Sequence, residues 1–276
     1  MTPAACVLTS WMALAGPPWP HAEPVVRTVG DLAVPPGFAR VPVKEGSYAA
    51  WLRRLPLKDG NPPVRLHDGT EKPWQDGHAA VVDLDVGKGD LQQCADAAIR
   101  LRAEYLRDAR REDALCFHYT SGDAVPWSRW RAGERPRVKG RKVGWEATAR
   151  RDAGYASFRA WLANVFTYAG TLSVAAETAA VGDVKAVRAG DVFVMGGSPG
   201  HAVTIADVAR AADGRVAFLV LQSHMPAQEV HVVSRPGSDL APWYTDDFGA
   251  ELALPEWTFT RGSLRRWPDN ACARTR

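Results

Sequence analysis

The stretch from Gly190 to Gln228 constrains the fold of this chain more than any other part of the sequence. It contains three apolar runs, VFVM, HAVTIADVA and VAFLVLQ, and a small-residue loop, GGSPG, separates the first two. An Asp213-Gly214 pair separates the second run from the third, and such a pair is a strong short-range signal for a hairpin. The stretch therefore predicts three consecutive antiparallel strands.

His201 stands at the start of the middle strand, directly after the small-residue loop. If the hairpin pairs through the Asp-Gly turn, Gln222 lies opposite His201, and a slip in register would bring Ser223 or His224 there instead. A polar side chain in this position can hydrogen-bond one ring nitrogen and fix the tautomer of the imidazole. A buried structural histidine is the alternative interpretation.

The clearest helix follows Asp90 and reads LQQCADAAIRLRAEYLRDARRE. Asp90 is a natural N-cap, and Gln93 three residues later completes a capping box. Apolar side chains at helical spacing form one stripe that includes Cys94, and residues spaced for ion pairs, such as Arg100 and Glu104, occupy the other side. A thiol in the first turn has a lowered pKa, and free N–H groups there can hold an oxyanion.

Cys94 and His201 together have the residue types that a nucleophile and its base require, from segments distant in sequence. Because Cys94 is on an apolar stripe, a buried structural thiol is the alternative. Metal binding is the rival chemistry for His201, but the sequence contains no H-x-x-x-H or H-x-x-E-H spacing. We therefore predict neither a metal nor a cofactor.

Residues 121–150 form a segment without periodicity, in which Trp127, Trp130 and Trp145 lie among many Arg, Lys and Gly residues. A loop of this length is uncommon and often functional. The segment predicts an insertion loop that acts as a lid or substrate wall. An inert loop pinned by its tryptophans is the alternative.

Composition limits the class of protein and of partner. Apolar residues make up 46% and charged residues 24% of the chain, which is typical of a globular domain. The net charge of +3 is too small to indicate a nucleic-acid partner. The four cysteines are too few for a disulfide scaffold or a zinc knuckle. Cys6 and Cys272 could pair in an oxidising compartment, and Cys116 reads as a small buried hydrophobe.

The first 28 residues contain an apolar run from Ala4 to Ala15 and a Pro-rich spacer, and no Lys or Arg precedes the run. This segment has two interpretations, a truncated secretory leader or a disordered tail. We favour an extracytoplasmic over a cytoplasmic location. No stretch is long and apolar enough to span a bilayer. Residues 29–276 are expected to form a single domain.

Several long motifs resemble an uncharacterised bacterial family catalogued as domain of unknown function 4846. The resemblance extends from about Val29 onward and rests on LQQCADAAIRLRAEYL, FRAWLANVFTYAGTLSVAAE, GDVFVMGGSPGHAV, QSHMPAQEVHV, PWY and LPEW. It implies a family but no established activity.

A looser resemblance is to papain-like cysteine hydrolases, especially the NlpC-type and CHAP-type amidases that cut bacterial cell-wall peptides. These enzymes have a cysteine at a helix start and a histidine that opens a strand, and the resemblance places these at Cys94 and His201. A Gly-Asp-hydrophobic strand precedes their histidine, and a polar residue follows it on the next strand. These would correspond to residues 190–193 and to Gln222. The chain departs from them in two ways: 107 residues separate the cysteine from the histidine, and the third member is Gln.

We therefore predict an α+β domain with a papain-like core, in which a capped helix packs on an antiparallel sheet. The predicted function is hydrolysis or transfer at an amide bond, with a peptide or glycopeptide as substrate by resemblance. The nucleophile, base and orienting residue would be Cys94, His201 and Gln222, and the oxyanion site and its surroundings would comprise Gln93, Gly200 and Ser223. The alternative function is a non-catalytic module that binds glycan or peptide with the tryptophan-rich loop.

Overall fold

The computed structural model describes Trp19, residues 25–140, residues 142–270 and Cys272. Residues 4–15 and Cys6 lie outside the described residues, and so does most of the segment expected to be a leader or tail. Within the described residues the chain forms five α-helices: α1 (Tyr48–Arg53), α2 (Cys94–Asp108), α3 (Trp127–Arg131), α4 (Tyr155–Tyr168) and α5 (Thr171–Glu177).

Most of the strands belong to one antiparallel sheet. The strands of the described residues are β1 (Arg27–Thr28), β2 (Phe38–Arg40), β3 (Pro56–Leu57), β4 (His78–Val81), β5 (Cys116–His118), β6 (Ala124–Pro126), β7 (Glu134–Lys139), β8 (Lys142–Ala147), β9 (Ala179–Ala180), β10 (Val192–Met195), β11 (His201–Ala211), β12 (Val216–Gln222), β13 (His231–Val233), β14 (Tyr244–Thr245), β15 (Glu251–Ala253), β16 (Thr258–Thr260) and β17 (Leu264–Arg266). The central sheet has the order β4-β13-β12-β11-β10-β17-β9, with β14 on β12 and β2 on β11. The predicted mixture of helices with a mostly antiparallel sheet is confirmed, whereas the predicted papain-like core is not.

The three predicted central strands are β10, β11 and β12, and they pair in sequence order. β10 pairs with β11 from Val192 to Met195, with His201 opposite Met195. β11 pairs with β12 across the predicted turn, where Gly214 has φ +89° and so occupies the left-handed region that favours glycine. A bulge after Ile205 shifts the register of this hairpin.

Different elements cover the two faces of the central sheet. On one face, Ala202, Ala206 and Ala209 of β11 pack in a core with helices α2 and α4. On the other face, Val203 and Ile205 of β11 pack with the β15–β16 hairpin. The small alanine side chains let helix α2 approach the strand closely.

Helix α2 is buried on nearly all sides, which differs from the single inward face that its pattern predicts. Arg100 and Glu104 do form the expected i,i+4 ion pair, with Nε and Oε1 2.8 Å apart, but both side chains are fully buried. Tyr155 of α4 covers them, donating a hydrogen bond to Glu104 and accepting one from Arg100. A buried pair is possible here because its charges are hydrogen-bonded within the core.

Residues 121–150 do not form the irregular insertion loop that the sequence indicates. They contain β6, α3 and the β7–β8 hairpin. Trp127 is completely buried, and its ring packs against Phe158 and Trp161 of α4. These tryptophans therefore anchor a small α/β extension to the core.

Cys116 forms a disulfide with Cys272, and their Cα atoms are 5.6 Å apart. The prediction that Cys116 is only a small buried hydrophobic residue is therefore wrong. Because Cys272 is already bonded, it has no thiol left to form the predicted disulfide with Cys6. It attaches the C-terminal segment to β5. The search for membrane spans found no helix among the described residues with the length and apolarity to cross a bilayer.

Candidate active site

The predicted site residues belong to one end of the central sheet, where β11 begins, β12 ends and α2 begins. His201 is the first residue of β11, Gln222 is the last of β12, and Cys94 is the first of α2. The order of the strands brings the first two together because β11 and β12 are antiparallel neighbours. Docking of α2 on β11 brings the third to the same region.

The start of α2 differs by one turn from the predicted one. Gln93, and not Asp90, is the N-cap, and its backbone N–H donates to the Asp96 carboxylate at 3.1 Å. Asp90 instead accepts hydrogen bonds from the Gln93 side chain at 2.9 Å and from the Ala227 backbone at 2.7 Å. Asp90 therefore ties the helix start to the loop that follows β12.

Cys94 is the free cysteine of the described residues, and its side chain is partly exposed. Burial raises the pKa of its thiol, whereas hydrogen bonds from the backbone N–H groups of Ala202 and Ala95 lower it. The nearby Asp96 carboxylate raises the thiol pKa further. Burial also raises the pKa of Asp96 itself, to about 7. The thiol is therefore protonated at neutral pH until a base removes its proton.

His201 and Gln222 form the contact that the hairpin predicts. The His201 Nε2 lies 3.2 Å from the Gln222 Oε1. Burial lowers the pKa of His201 to about 4, and His224 lowers it as well, while the bond to Gln222 acts in the opposite direction. His201 is therefore neutral at pH 7, which is the form that can accept a proton.

A chain of hydrogen bonds fixes the orientation of the Gln222 amide. Its Nε2 donates to the Glu256 carboxylate at 2.7 Å and lies 3.3 Å from the His231 Nε2, which accepts because the His231 Nδ1 donates to the Glu229 carbonyl. The Gln222 Oε1 must then accept, so His201 carries its proton on Nε2. Lys72 completes the chain with an ion pair to Glu256 at 2.6 Å.

Sequence reasoning missed Glu256, Lys72 and His231, although all three belong to this chain of hydrogen bonds. Glu256 lies within the LPEW motif, which therefore contained a signal for the site. The following residue, Trp257, packs its ring on His201 with centroids 5.3 Å apart. His231 lies within the QSHMPAQEVHV motif, whereas Lys72 had no distinguishing local pattern.

The imidazole of His201 and the helix that begins with Cys94 are on opposite faces of the sheet. The His201 ring packs with His224 and Phe259, at 4.7 and 5.7 Å between centroids, on the face that the β15–β16 hairpin covers. The Cys94 sulfur instead accepts a hydrogen bond from the backbone N–H of Ala202. Among the described residues no hydrogen bond joins Cys94 to His201.

The predicted neighbouring residues have structural contacts. Ser223 is buried, and its hydroxyl donates to the Gln228 carbonyl at 2.7 Å and lies 3.3 Å from the Gln92 carbonyl. A Cβ at Gly200 would lie 2.5 Å from the Thr171 hydroxyl oxygen, so only glycine fits where this loop crosses the start of α5. These contacts hold the two loops at this end of the sheet.

The three tryptophans predicted to form a substrate wall contact other parts of the protein. Trp127 and Trp130 are buried, and the half-buried Trp145 of β8 stacks with Arg129 at 4.3 Å. The structure does not bring them to the start of α2. Within the described ranges, no three His, Cys, Asp or Glu side chains converge in an arrangement suited to a metal ion.

Comparison with known proteins identifies the family but no relative of known activity. The search of curated proteins and the search of solved structures both found no match. The resemblance to papain-like amidases has no support from these comparisons. The family model described as "Domain of unknown function (4846)" matches residues 30–266, most of the chain. The chain therefore belongs to this family.

Proposed function

We propose that this protein is a cysteine hydrolase or transferase acting on an amide bond, with Cys94 as nucleophile, His201 as base and Gln222 as orienting residue. One observation carries the proposal. The free thiol at the first residue of α2 meets the backbone N–H of Ala202, so it lies beside the residue that follows the neutral histidine. A nucleophile at a helix start and a base at a strand start also form the core of papain-like enzymes.

The hydrogen bonds of His201 suit the role of a base. Its Nε2–H donates to Gln222, which leaves the Nδ1 lone pair to accept the thiol proton. Because the ring packs on the face opposite α2 and is buried, a rotation about χ1 alone does not bring Nδ1 to the Cys94 sulfur, and the proposed proton transfer requires the start of β11 to move.

The reaction then follows the chemistry of thiol acyl transfer. The thiol proton moves to Nδ1, and the thiolate attacks the amide carbon. The tetrahedral intermediate collapses, its C–N bond breaks, and the imidazolium gives its proton to the leaving amine. Water or a second amine then attacks the thioester, losing a proton to the imidazole, and frees Cys94.

The start of α2 supplies donors for the oxyanion. The Ala95 N–H already interacts with the Cys94 sulfur and is a first-turn donor. The Gln93 amide uses one hydrogen to bind Asp90, and the second is free to bind a substrate oxygen. Leu172 and Met225, which are 52% and 65% exposed, lie on the elements next to this end of the sheet and would contact the apolar parts of a substrate.

A cell-wall peptide is the proposed substrate by resemblance to the NlpC-type and CHAP-type amidases. The disulfide between Cys116 and Cys272 supports a location in an oxidising compartment, where such substrates occur. The free Cys94 in the same chain fits an activity that depends on a thiol.

Alkylation of Cys94 by iodoacetamide between pH 5 and 10 tests the proposal. We expect wild type to react near neutral pH and His201→Ala to react at least tenfold more slowly at pH 7, with Cys94→Ser unreactive. His67→Ala is the matched control, because the His67 ring makes no hydrogen bond within the described residues. Equal rates for wild type and His201→Ala would contradict the assignment of His201 as base.

The alternative function is a non-catalytic binding module on the same fold. The position of the His201 ring, packed between Trp257 and His224 on the face away from α2, favours this alternative. Incubation with wall-derived peptides, followed by mass spectrometry, separates the two. Cleavage that requires Cys94 supports the enzyme, whereas binding without cleavage supports the module.

A further inference from the structure

A cavity of about 400 Å³ opens near the far end of β11, between α1, the segment after β2 and the turn that precedes β10. Its volume lies in the range of pockets that bind small molecules. It is lined by Val41, Pro42, Val43, Lys44, Ser47, Ala49, Arg53, Ala186, Val187, Arg188, Ala189, Val208 and Arg210.

The charges around this cavity all have one sign. Four of its lining residues are basic and none is acidic. Arg53 is already bound, to the Asp207 carboxylate and to the Val41 carbonyl, at 2.7 Å in each case. Across the described part of the chain, no carboxylate lies within ion-pair distance of the Lys44, Arg188 or Arg210 head groups. Arg210 already donates to the Lys185 carbonyl at 2.7 Å. Lys44 and Arg188 are therefore the two cations that can bind an anion.

The remaining surface of the cavity is apolar. Eight of its lining residues are Val, Ala or Pro, and Val187 and Val208 are buried beneath them. Such a surface takes up hydrocarbon, while exposed cations at the rim hold a charged end in contact with water. Charge and shape thus point to one class of ligand, which has an apolar body and a single anionic head.

We propose that this cavity binds a small apolar carboxylate. The hydrocarbon part would contact Val41, Val187 and Val208, and the carboxylate would pair with Lys44 and Arg188. The cavity is separate from the candidate active site, because His201 and Val208 are seven residues apart on one strand, roughly 23 Å. The two proposals can therefore fail independently.

Isothermal titration of the full chain with octanoate, 1-octanol and octylamine tests this proposal. We expect octanoate to bind at least tenfold more tightly than octanol, because octanol keeps the chain but lacks the charge, and octylamine to bind most weakly. The double variant Lys44→Ala, Arg188→Ala should weaken octanoate binding about fivefold per cation at low ionic strength. Both side chains are exposed, so this variant is expected to fold.

The matched control is the double variant Arg137→Ala, Lys139→Ala, which removes two exposed cations from β7. It should leave octanoate binding unchanged. Ala186→Trp, at the exposed rim, should block all apolar ligands regardless of charge. Equal affinity for octanoate and octanol, no binding of either, or an equal loss in the control would each overturn the proposal.

Discussion

Strand β11 buries a polar side chain near each end, and it does so in two different ways. At its start, His201 is uncharged and donates to the neutral amide of Gln222. Near its far end, Asp207 is fully buried and binds the guanidinium groups of Arg40 and Arg53 at 2.7 and 2.6 Å. Neutral hydrogen bonding and full ion pairing thus stabilise buried groups of one strand.

The difference shows how each end can respond to change. The Asp207 end is held by ion pairs, and removing one partner leaves the others uncompensated. The His201 end is neutral only because burial disfavours the proton. Burial therefore opposes adding a proton at the His201 end, and the proposed transfer of the thiol proton has to overcome this cost, while the Asp207 end is suited to a structural role.

The largest expected effect comes from breaking the ion pairs of Asp207. Asp207→Ala should lower the free energy of unfolding by about 3 kcal/mol, because it leaves two arginines without their buried carboxylate. Urea unfolding measures this loss. The matched control is Asp213→Ala, which breaks the exposed pair with Arg215 and should cost much less than Asp207→Ala. Similar losses in the two variants would contradict the structural role of Asp207.

Acidification should lower the free energy of unfolding through the buried histidine at the start of β11. The folded-state pKa of His201 is about 4, below the value of 6.5 for an unfolded histidine. As the pH falls from 6.5 to 4, the unfolded state gains a proton that the folded state does not, so stability decreases by about 1.4 kcal/mol per pH unit. His231, with a pKa of about 3, adds to this loss. Asp96, whose pKa is raised to about 7, opposes it.

Urea unfolding of wild type and His201→Phe across this pH range isolates the contribution of His201. The phenyl ring keeps the packing against Trp257 and Phe259 but cannot titrate. We expect the stability of the variant to decrease less on acidification, with a difference of about 3 kcal/mol between pH 7 and pH 4. Parallel pH profiles would show that His201 is not held neutral by the fold.

The smallest expected effect concerns the amide that orients His201. Gln222→Leu should cost about 1–3 kcal/mol, since it leaves the His201 Nε2–H and the Glu256 carboxylate without their partner. Gln228→Leu is a matched control, because Gln228 is equally buried, at 2% exposure, and its Nε2 makes no hydrogen bond. Only Gln222→Leu should also slow alkylation of Cys94. Equal stability of the two variants would contradict an orienting role.

Much of the fold and part of the candidate site could be predicted where the signal is local. The Asp213-Gly214 turn predicts the β11–β12 hairpin, whereas the bulge after Ile205, which the sequence did not predict, sets the register that brings the side chains of His201 and Gln222 together. Helical spacing identified α2, and the structure begins this helix at Cys94. Within α2, however, spacing alone assigned Arg100 and Glu104 to an exposed side, because it does not show that α4 covers them.

The remaining features depend on contacts between distant segments. Glu256 and Lys72 join the hydrogen bonds of Gln222 from opposite ends of the chain, and the disulfide joins Cys116 to Cys272. No local pattern predicts either set of contacts, although Glu256 lies within the LPEW motif. The tryptophans of residues 121–150 were predicted to form a substrate wall because an aromatic residue in an irregular pattern can cover either a ligand or the core. The sequence does not show which of the two it covers.

The sequence by itself determined the three central strands and helix α2, because these follow from side-chain period and turn chemistry over short distances. Only the tertiary structure decided which face of β11 each side chain occupies. The run HAVTIADV is apolar on both faces, as expected for a strand covered on both sides, so its pattern does not show which face the helix covers. Packing of α2 on Ala202 and Ala206 settled that choice and separated the Cys94 helix from the His201 ring.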